Sequence, residues 1–181
     1  MRIIGGKHRG RIIRAPKGLP VRPTTDQARE GLFNILMHRF DLEDARVLDA
    51  FAGTGAVSYE FLSRGAAELT AVDQNAGCVR FIQSMFRELG AGGIAKARRQ
   101  ATMKFLKSCD RTFDLIFMDP PYVLPDMPAL VQAVFDHGLL APEGWMILEH
   151  ATRDNFSDLP YFFELRKYGS SSFTFFQHIA Q

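Results

Sequence analysis

Apolar positions along most of the chain form short continuous runs, separated by segments in which apolar residues recur with helical spacing. Continuous apolar runs are typical of strands buried on both faces of a parallel sheet, and the intervening segments are typical of the helices that cover it. The pattern predicts strands at residues 47–52, 69–72, 94–99, 113–118 and 145–148, and helices at residues 56–64, 76–89, 103–108 and 129–138.

The two ends of the chain show other patterns. Residues 161–168 and 172–179 are strand-like runs with only Gly and Ser between them, which predicts a closing antiparallel hairpin. Near the N-terminus, strand-like runs at residues 2–5 and 11–14 predict a second hairpin, followed by a loop rich in Pro and Gly at residues 15–23. We therefore expect an α/β, Rossmann-like fold: a doubly wound, mostly parallel seven-stranded sheet whose last strand is antiparallel.

A helix is predicted between the N-terminal loop and the first strand of the sheet. Thr24, with Gln27 three residues later, has the pattern of a capping box that would begin this helix. The apolar residues on one face of the helix, which is expected to run to about Phe40, are Ala28, Leu32, Ile35 and Leu36. The chain thus divides into a basic extension, residues 1–23, and a main domain, residues 24–181.

Composition narrows the class of protein. The chain is 46% hydrophobic and 23% charged, which is typical of a globular domain. Its N-terminus is charged, without an apolar leader, and no later run is long enough to span a membrane, so we expect a cytoplasmic protein. The cysteines, Cys78 and Cys109, form no disulfide framework, and the five histidines lack metal-ligand spacing, so no metal is expected.

Charge is unevenly distributed along the chain. Residues 1–22 carry seven basic side chains and no acidic one, whereas the rest carries 15 basic and 20 acidic side chains. Such segregation is typical of a surface that binds a polyanion, nucleic acid first, although a solvated basic tail has the same composition. The candidate RNA contacts are Arg2, Lys7, Arg9, Arg11 and Arg14.

Polar residues follow the first two predicted strands of the sheet. The first strand terminates in Asp49-Ala50-Phe51-Ala52-Gly53-Thr54-Gly55, and the second ends at Asp73. Glycines allow the backbone to turn sharply against a ligand, and a carboxylate at the second strand can accept hydrogen bonds from both hydroxyls of a ribose. Ligands of such sheets bind at the carboxyl ends of the strands, so these residues predict a nucleoside-containing cofactor. A tight turn without a ligand is the alternative.

Two residues favour S-adenosylmethionine over a nicotinamide cofactor. The dinucleotide fingerprint requires a third glycine at position 58, where this chain has Ser58. Asp49 would repel a pyrophosphate but suits the positive amino and sulfonium groups of S-adenosylmethionine.

The tetrapeptide Asp119-Pro120-Pro121-Tyr122 follows the strand predicted at residues 113–118. The Asp119 carboxylate and the Pro120 carbonyl can accept hydrogen bonds from an exocyclic base amine and orient its lone pair toward a methyl donor. The prolines stiffen the loop, and Tyr122 offers a face on which an extruded base can stack. The catalytic candidates are Asp119, Pro120, Pro121 and Tyr122.

The chain resembles the bacterial 16S ribosomal RNA guanine-N2 methyltransferases. The resemblance rests on RPTTDQAREGLFNIL, VLDAFAGTGAVSYEFLSRGA, LTAVDQN and FDLIFMDPPY, in that order, and on the opening RIIGGKHRGRIIRAPKG. It implies a class I S-adenosylmethionine-dependent methyltransferase that modifies one guanine of 16S rRNA, in the small ribosomal subunit or its assembly intermediate. We expect a monomer.

The resemblance also assigns residues to the cofactor. Gly53, Gly55 and Asp73 match cofactor contacts of the family, and Arg22, Pro23 and Thr24 match its RPT segment, which approaches the cofactor. Gln100 matches the position on the adenine edge, where an acidic residue or Asn is more usual, and Ser58 stands in place of a Gly. The predicted cofactor contacts are Arg22, Pro23, Thr24, Asp49, Phe51, Gly53, Thr54, Gly55, Asp73, Gln74, Gln100, Ala101 and Asp119.

Two other functions fit the same residues. A methyltransferase of another exocyclic amine, such as adenine N6 in RNA or DNA, could use the same tetrapeptide, although the chain has no room for a separate target-recognition domain. A catalytically inactive RNA-binding module could keep the fold, but the intact Asp119 and Tyr122 argue against it.

Overall fold

The computed structural model describes residues 1–19 and 25–179. Strands and helices alternate through the main domain, as the apolar pattern predicts. The strands are β1 (Arg46–Asp49), β2 (Glu68–Asp73), β3 (Ala95–Arg99), β4 (Phe113–Met118), β5 (Leu140–Ala151), β6 (Phe162–Tyr168) and β7 (Ser171–Phe176). The helices are α1 (Asp26–Arg39), α2 (Ala56–Ser63), α3 (Ala76–Glu88), α4 (Thr102–Ser108) and α5 (Met127–Asp136).

The seven strands form one sheet in the order β3-β2-β1-β4-β5-β7-β6. Strands β1 to β5 are parallel to one another, and β7 inserts between β5 and β6 antiparallel to both. Strands β2 and β3 lie on one side of β1, and β4 and β5 lie on the other, so the strand order reverses between β1 and β4. Folds of this kind open a crevice for ligands at that point. The predicted doubly wound sheet with an antiparallel last strand is confirmed.

Several predicted boundaries were wrong, and three of them have a clear physical reason. Helix α1 is capped by Thr25, whose hydroxyl accepts a hydrogen bond from the Ala28 amide, and not by Thr24, which lies outside the described residues. Strand β1 ends at Asp49, because the following residues turn toward α2. Strand β5 begins at Leu140 rather than at residue 145, because pairing with β4 extends it through an irregularity around Gly144.

Two hydrophobic clusters cover the faces of the sheet. One cluster includes most of the buried apolar side chains of α1, α2 and α3. The other includes those of α4 and α5. On α1 the buried residues are Ala28, Arg29, Leu32, Phe33 and Leu36, whereas Ile35 is only partly buried. The sheet is therefore buried on both faces, so its polar side chains are accessible chiefly at the strand ends.

The N-terminal extension packs on the first of these clusters through Ile3 and Ile13. Its two arms run antiparallel on either side of the Arg2–Ile12 pair and enclose a short 3-10 helix, Gly6–His8. Met1 and Ile13 exchange two backbone hydrogen bonds, of 3.0 and 2.9 Å, and the Ile3 amide donates to the Arg11 carbonyl at 3.0 Å. The amide of Ile4 donates to the buried carboxylate of Glu60 on α2 at 2.7 Å. The predicted hairpin is thus present, with short antiparallel arms, and it is attached to α2.

None of the helices in residues 1–19 and 25–179 has the length and apolar composition needed to cross a membrane. The same residues contain no cluster of three or more His, Cys, Asp or Glu that could hold a metal ion.

Candidate active site

A cavity of about 910 Å³ opens at the carboxyl ends of the central strands. Its volume lies in the upper part of the range of small-molecule pockets, roughly 300–1,000 Å³, which leaves space for two ligands side by side. One part of its wall follows β1, β2 and β3 and includes Phe51, Gly53, Asp73, Gln74, Asn75, Ala101, Thr102 and Met103. The other follows β4 and β5 and includes Asp119, Pro120, Pro121, Tyr122, Val123, Leu124 and Glu149.

The Asp73 carboxylate is held in place by the backbone on both sides. One oxygen accepts a hydrogen bond from the Gly53 amide at 2.9 Å, and the other accepts one from the Asn75 amide at 2.7 Å. Gly53 has a φ of 55°, in the left-handed region that favours glycine. A carboxylate has about four acceptor positions, so Asp73 can accept two further hydrogen bonds from a ligand in the cavity.

Asp49 lies deeper than its predicted role requires. It is 1% exposed, and it accepts a hydrogen bond of 2.6 Å from the Ser58 hydroxyl. Burial raises the pKa of Asp49 to about 7; the Ser58 hydrogen bond opposes this rise, and the charge of Asp73 adds to it. Asp49, Thr54 and Gly55 are buried and are not among the described residues that line the cavity. These three therefore support the cavity wall from behind.

The remaining predicted cofactor contacts divide into three groups. Gln74 and Ala101 line the cavity. Gln100 does not belong to the described lining, and its side-chain amide instead donates to the Ser108 hydroxyl at 3.3 Å. Arg22, Pro23 and Thr24 lie outside the described residues, but Thr25, which follows them, lines the cavity.

The tetrapeptide forms the opposite wall. A turn closed by a 2.8 Å hydrogen bond from the Leu124 amide to the Pro121 carbonyl fixes its course. The hydroxyl of Tyr122 shares a hydrogen bond of 3.1 Å with the hydroxyl of Ser171, a buried residue at the start of β7. The Tyr122 ring is therefore tied to the sheet and does not depend on the loop alone for its position.

Sequence reasoning missed several residues of the cavity, above all Glu149. Glu149 is 2% exposed and lines the cavity. Since Met118 pairs with Leu148 in the β4–β5 ladder, Asp119 and Glu149 occupy equivalent places one residue further along the two strands. A polar residue directly after the predicted strand at residues 145–148 was the available signal. Ser171 gave no comparable signal, because it lies in a Gly-Ser run that is typical of a turn.

The candidate RNA contacts are not among the described residues that line this cavity. Arg2, Lys7, Arg9, Arg11 and Arg14 are all exposed. The turn that carries them is fixed by a 2.9 Å hydrogen bond from the His8 amide to Ser63, at the far end of α2. At about 1.5 Å per residue, that end lies roughly 12 Å along the helix from the cavity. Arg11 also forms an ion pair of 3.4 Å with Glu88, at the far end of α3.

Comparison with known proteins places the chain in a family. Residues 1–177 match the family described as conserved hypothetical protein 95. The chain is 34% identical to ribosomal RNA small subunit methyltransferase D of Escherichia coli K12 over 88% of this chain and 79% of that protein. The solved structure of a hypothetical protein from Thermus thermophilus is 32% identical and superimposes with a TM-score of 0.84, covering 98% of this chain and 99% of the other.

A more distant solved structure shows the fold alone. A methyltransferase from Geobacter sulfurreducens, 15% identical, superimposes with a TM-score of 0.68 and covers 86% of this chain and 80% of that one. The sheet is accordingly that of the class I methyltransferases. The chain therefore belongs to the family of conserved hypothetical protein 95 and is a relative of ribosomal RNA small subunit methyltransferase D.

Proposed function

We propose that this protein transfers a methyl group from S-adenosylmethionine to the exocyclic N2 amine of a guanine in the 16S rRNA of the small ribosomal subunit. One observation carries the proposal: the Asp73 carboxylate and the Asp119–Tyr122 tetrapeptide line a single cavity. A nucleoside cofactor and a base can therefore lie in contact with each other. The relationship to ribosomal RNA small subunit methyltransferase D and the sequence resemblance to the guanine-N2 enzymes support the choice of substrate.

The first part of the wall suits the cofactor. Asp73 accepts the ribose hydroxyls, because its two backbone contacts already orient the carboxylate. Phe51 and Met103 add apolar surface for the adenine. S-adenosylmethionine, when bound, supplies an activated methyl group, so that no metal or covalent intermediate is required.

The second part of the wall suits the base. The Asp119 carboxylate and the Pro120 carbonyl each accept a hydrogen bond from one N–H of the amine, which turns the nitrogen lone pair toward the methyl group. Tyr122 stacks on the extruded base, and its hydrogen bond to Ser171 keeps the ring in place. Positioning of this kind contributes most of the rate enhancement, because the methyl donor is already activated.

The extension of residues 1–23 would contact a separate part of the RNA. The exposed side chains of Lys7 and Arg9 flank His8, which is held at the end of α2 that is remote from the cavity, so they reach phosphates some distance from the target base. A folded ribosomal RNA is large enough to span both places. In this arrangement the basic side chains of residues 2–14 provide RNA affinity, and the main domain provides catalysis.

The test uses small ribosomal subunits that lack the modification. The protein and isotopically labelled S-adenosylmethionine are added, and the RNA is digested and analysed by mass spectrometry. We expect labelled N2-methylguanosine at one position, and none with the Asp119→Ala variant. Label recovered as N6-methyladenosine would contradict the guanine assignment, and label in no nucleoside of any RNA tested would contradict the enzymatic function.

A further inference from the structure

Glu149 places a second carboxylate beside the tetrapeptide. It lies on β5, adjacent to the strand that leads into Asp119, and its side chain is almost completely buried within the cavity wall. Removing a carboxylate from water is costly unless hydrogen-bond donors replace the water. The amine-holding chemistry of the tetrapeptide does not use Glu149, so its place at the base end of the cavity calls for a separate explanation.

The Watson–Crick edges of the bases suggest that explanation. Adenine, cytosine and guanine all present an exocyclic amine that Asp119 and Pro120 can hold. Next to that amine, however, adenine and cytosine have a ring nitrogen with a lone pair, whereas guanine has an N1–H group. A second carboxylate beside the amine site accepts a hydrogen bond from guanine N1–H, and it repels the lone pair of the other two bases.

We propose that Glu149 is the residue that selects guanine, by accepting a hydrogen bond from N1–H while Asp119 and Pro120 hold the N2 amine. The inference rests on the proposed guanine-N2 activity. A carboxylate has about four acceptor positions, so Glu149 can accept this bond in addition to its contacts within the protein. Its rigid setting on a central strand favours discrimination, because a buried acceptor cannot move away from a mismatched base.

The test replaces the target guanine in reconstituted small subunits by 2-aminopurine. This base keeps the N2 amine but has a lone pair at N1 and lacks O6. For the unaltered protein we expect kcat/KM to fall about tenfold to a hundredfold, the effect of losing a hydrogen bond to a charged group. Substitution by 6-thioguanine, which keeps N1–H and changes only the group at C6, should cost much less. An equal loss with 6-thioguanine would assign the discrimination to O6 and overturn the proposal.

The Glu149→Gln variant tests the residue itself. Its amide can accept from guanine N1–H or donate to N1 of 2-aminopurine, so the preference for guanine should shrink to within about threefold. The matched control is Glu143→Gln, which changes an exposed carboxylate on the same strand and should keep the full preference. An unchanged preference in Glu149→Gln would refute the role of Glu149.

Two measurements keep the outcomes separate. Cofactor-induced thermal stabilisation reports whether the Glu149→Gln variant is folded. If it is not folded, the Glu149→Asp variant is used in its place. We expect Glu149→Asp to lower kcat/KM for guanine at least tenfold. The same kcat/KM in Glu149→Asp as in the unaltered protein would overturn the proposal. Failure of the unaltered protein to methylate guanine N2 would refute the proposed function itself, before any variant of Glu149 is needed.

Discussion

The Ser58 hydroxyl donates a hydrogen bond of 2.6 Å to the buried carboxylate of Asp49. Ser58 stands where the resemblance leads one to expect a glycine, so it adds a contact that a glycine could not make. This contact joins the end of β1 to the first turn of α2, directly behind the cavity. It also stabilises the charged form of Asp49, against the stronger effect of burial.

Asp49 should make the stability of the protein depend on pH. Because the folded state raises its pKa from 3.8 to about 7, the unfolded chain releases this proton at lower pH than the folded protein does. Stability from this group is thus present at acidic pH and is lost as pH rises toward 7. We expect the unfolding free energy of Asp49→Asn, relative to the unaltered protein, to rise by about 2–3 kcal/mol between pH 5 and pH 8.

Urea unfolding of the unaltered protein and of Asp49→Asn, both without cofactor, measures this difference at several pH values. The contributions of the other titrating groups to the unfolding free energy are the same in both proteins and cancel. Ser58→Ala serves as a control, since removal of its hydrogen bond should raise the pKa of Asp49 further. A difference between the two proteins that stays constant from pH 5 to pH 8 would contradict the assignment.

Asp73 should determine cofactor binding. At a hundredfold excess over its dissociation constant, S-adenosylmethionine should stabilise the protein by about 2.7 kcal/mol, or roughly 5–10 °C in Tm, and NAD should not. Asp73→Ala should lose most of this shift, measured against its own cofactor-free Tm because the Gly53 and Asn75 amides also lose their acceptor. Asp110→Ala, at an exposed carboxylate, should keep it. A shift with NAD alone would exclude the proposed cofactor.

Asp119 should separate catalysis from cofactor binding. Asp119→Ala should keep the cofactor-induced Tm shift but methylate at least about a hundredfold more slowly, because the amine is no longer oriented in the transition state. Single-turnover methylation of small subunits measures the rate. Turnover close to that of the unaltered protein would rule out the proposed role.

Tyr122 and Ser171 should act as a unit. Tyr122→Phe and Ser171→Ala remove the same hydrogen bond, so each should weaken substrate binding by a similar factor, about twofold to tenfold, and the double variant should add little. Tyr122→Ala also removes the stacking surface and should cost about 1–3 kcal/mol. Substrate affinities of the four variants test this, and fully additive effects of the two hydroxyl variants would show that the bond is not their shared cause.

The extension should dominate the salt dependence of RNA binding. If Lys7 and Arg9 contact phosphates, their joint replacement by Ala should flatten the log-log dependence of affinity on salt by about 1.4–1.8 units, with cofactor affinity unchanged. Lys96 and Arg98, an exposed pair on the edge strand β3, provide the matched double variant. Affinity is measured between about 50 and 200 mM salt. A slope altered only by the β3 variant would move the RNA contact to that strand.

Local patterns in the sequence were sufficient to predict the sheet and most of its helices. Runs such as residues 113–118 are apolar because both faces of the strand are covered, and this requirement is visible without knowledge of the neighbours. Gly53 and Asp73 could also be assigned without knowledge of the neighbouring strands, because they directly follow or end buried strands, where the crevice of such a fold lies. Boundaries were predicted less well, because pairing with β4 extends β5 through Pro142 and Gly144, which read locally as a turn.

The tertiary structure decided which polar residues share the cavity. Glu149 lies beside Asp119 because β5 pairs with β4, and Ser171 reaches Tyr122 because β7 inserts between β5 and β6. No residue pattern within a single strand encodes which strand will lie next to it. The sequence by itself therefore determined the chemistry of the tetrapeptide and the cofactor loop, while the order of the strands decided that Asp49 supports the cavity from behind and that Glu149 faces into it.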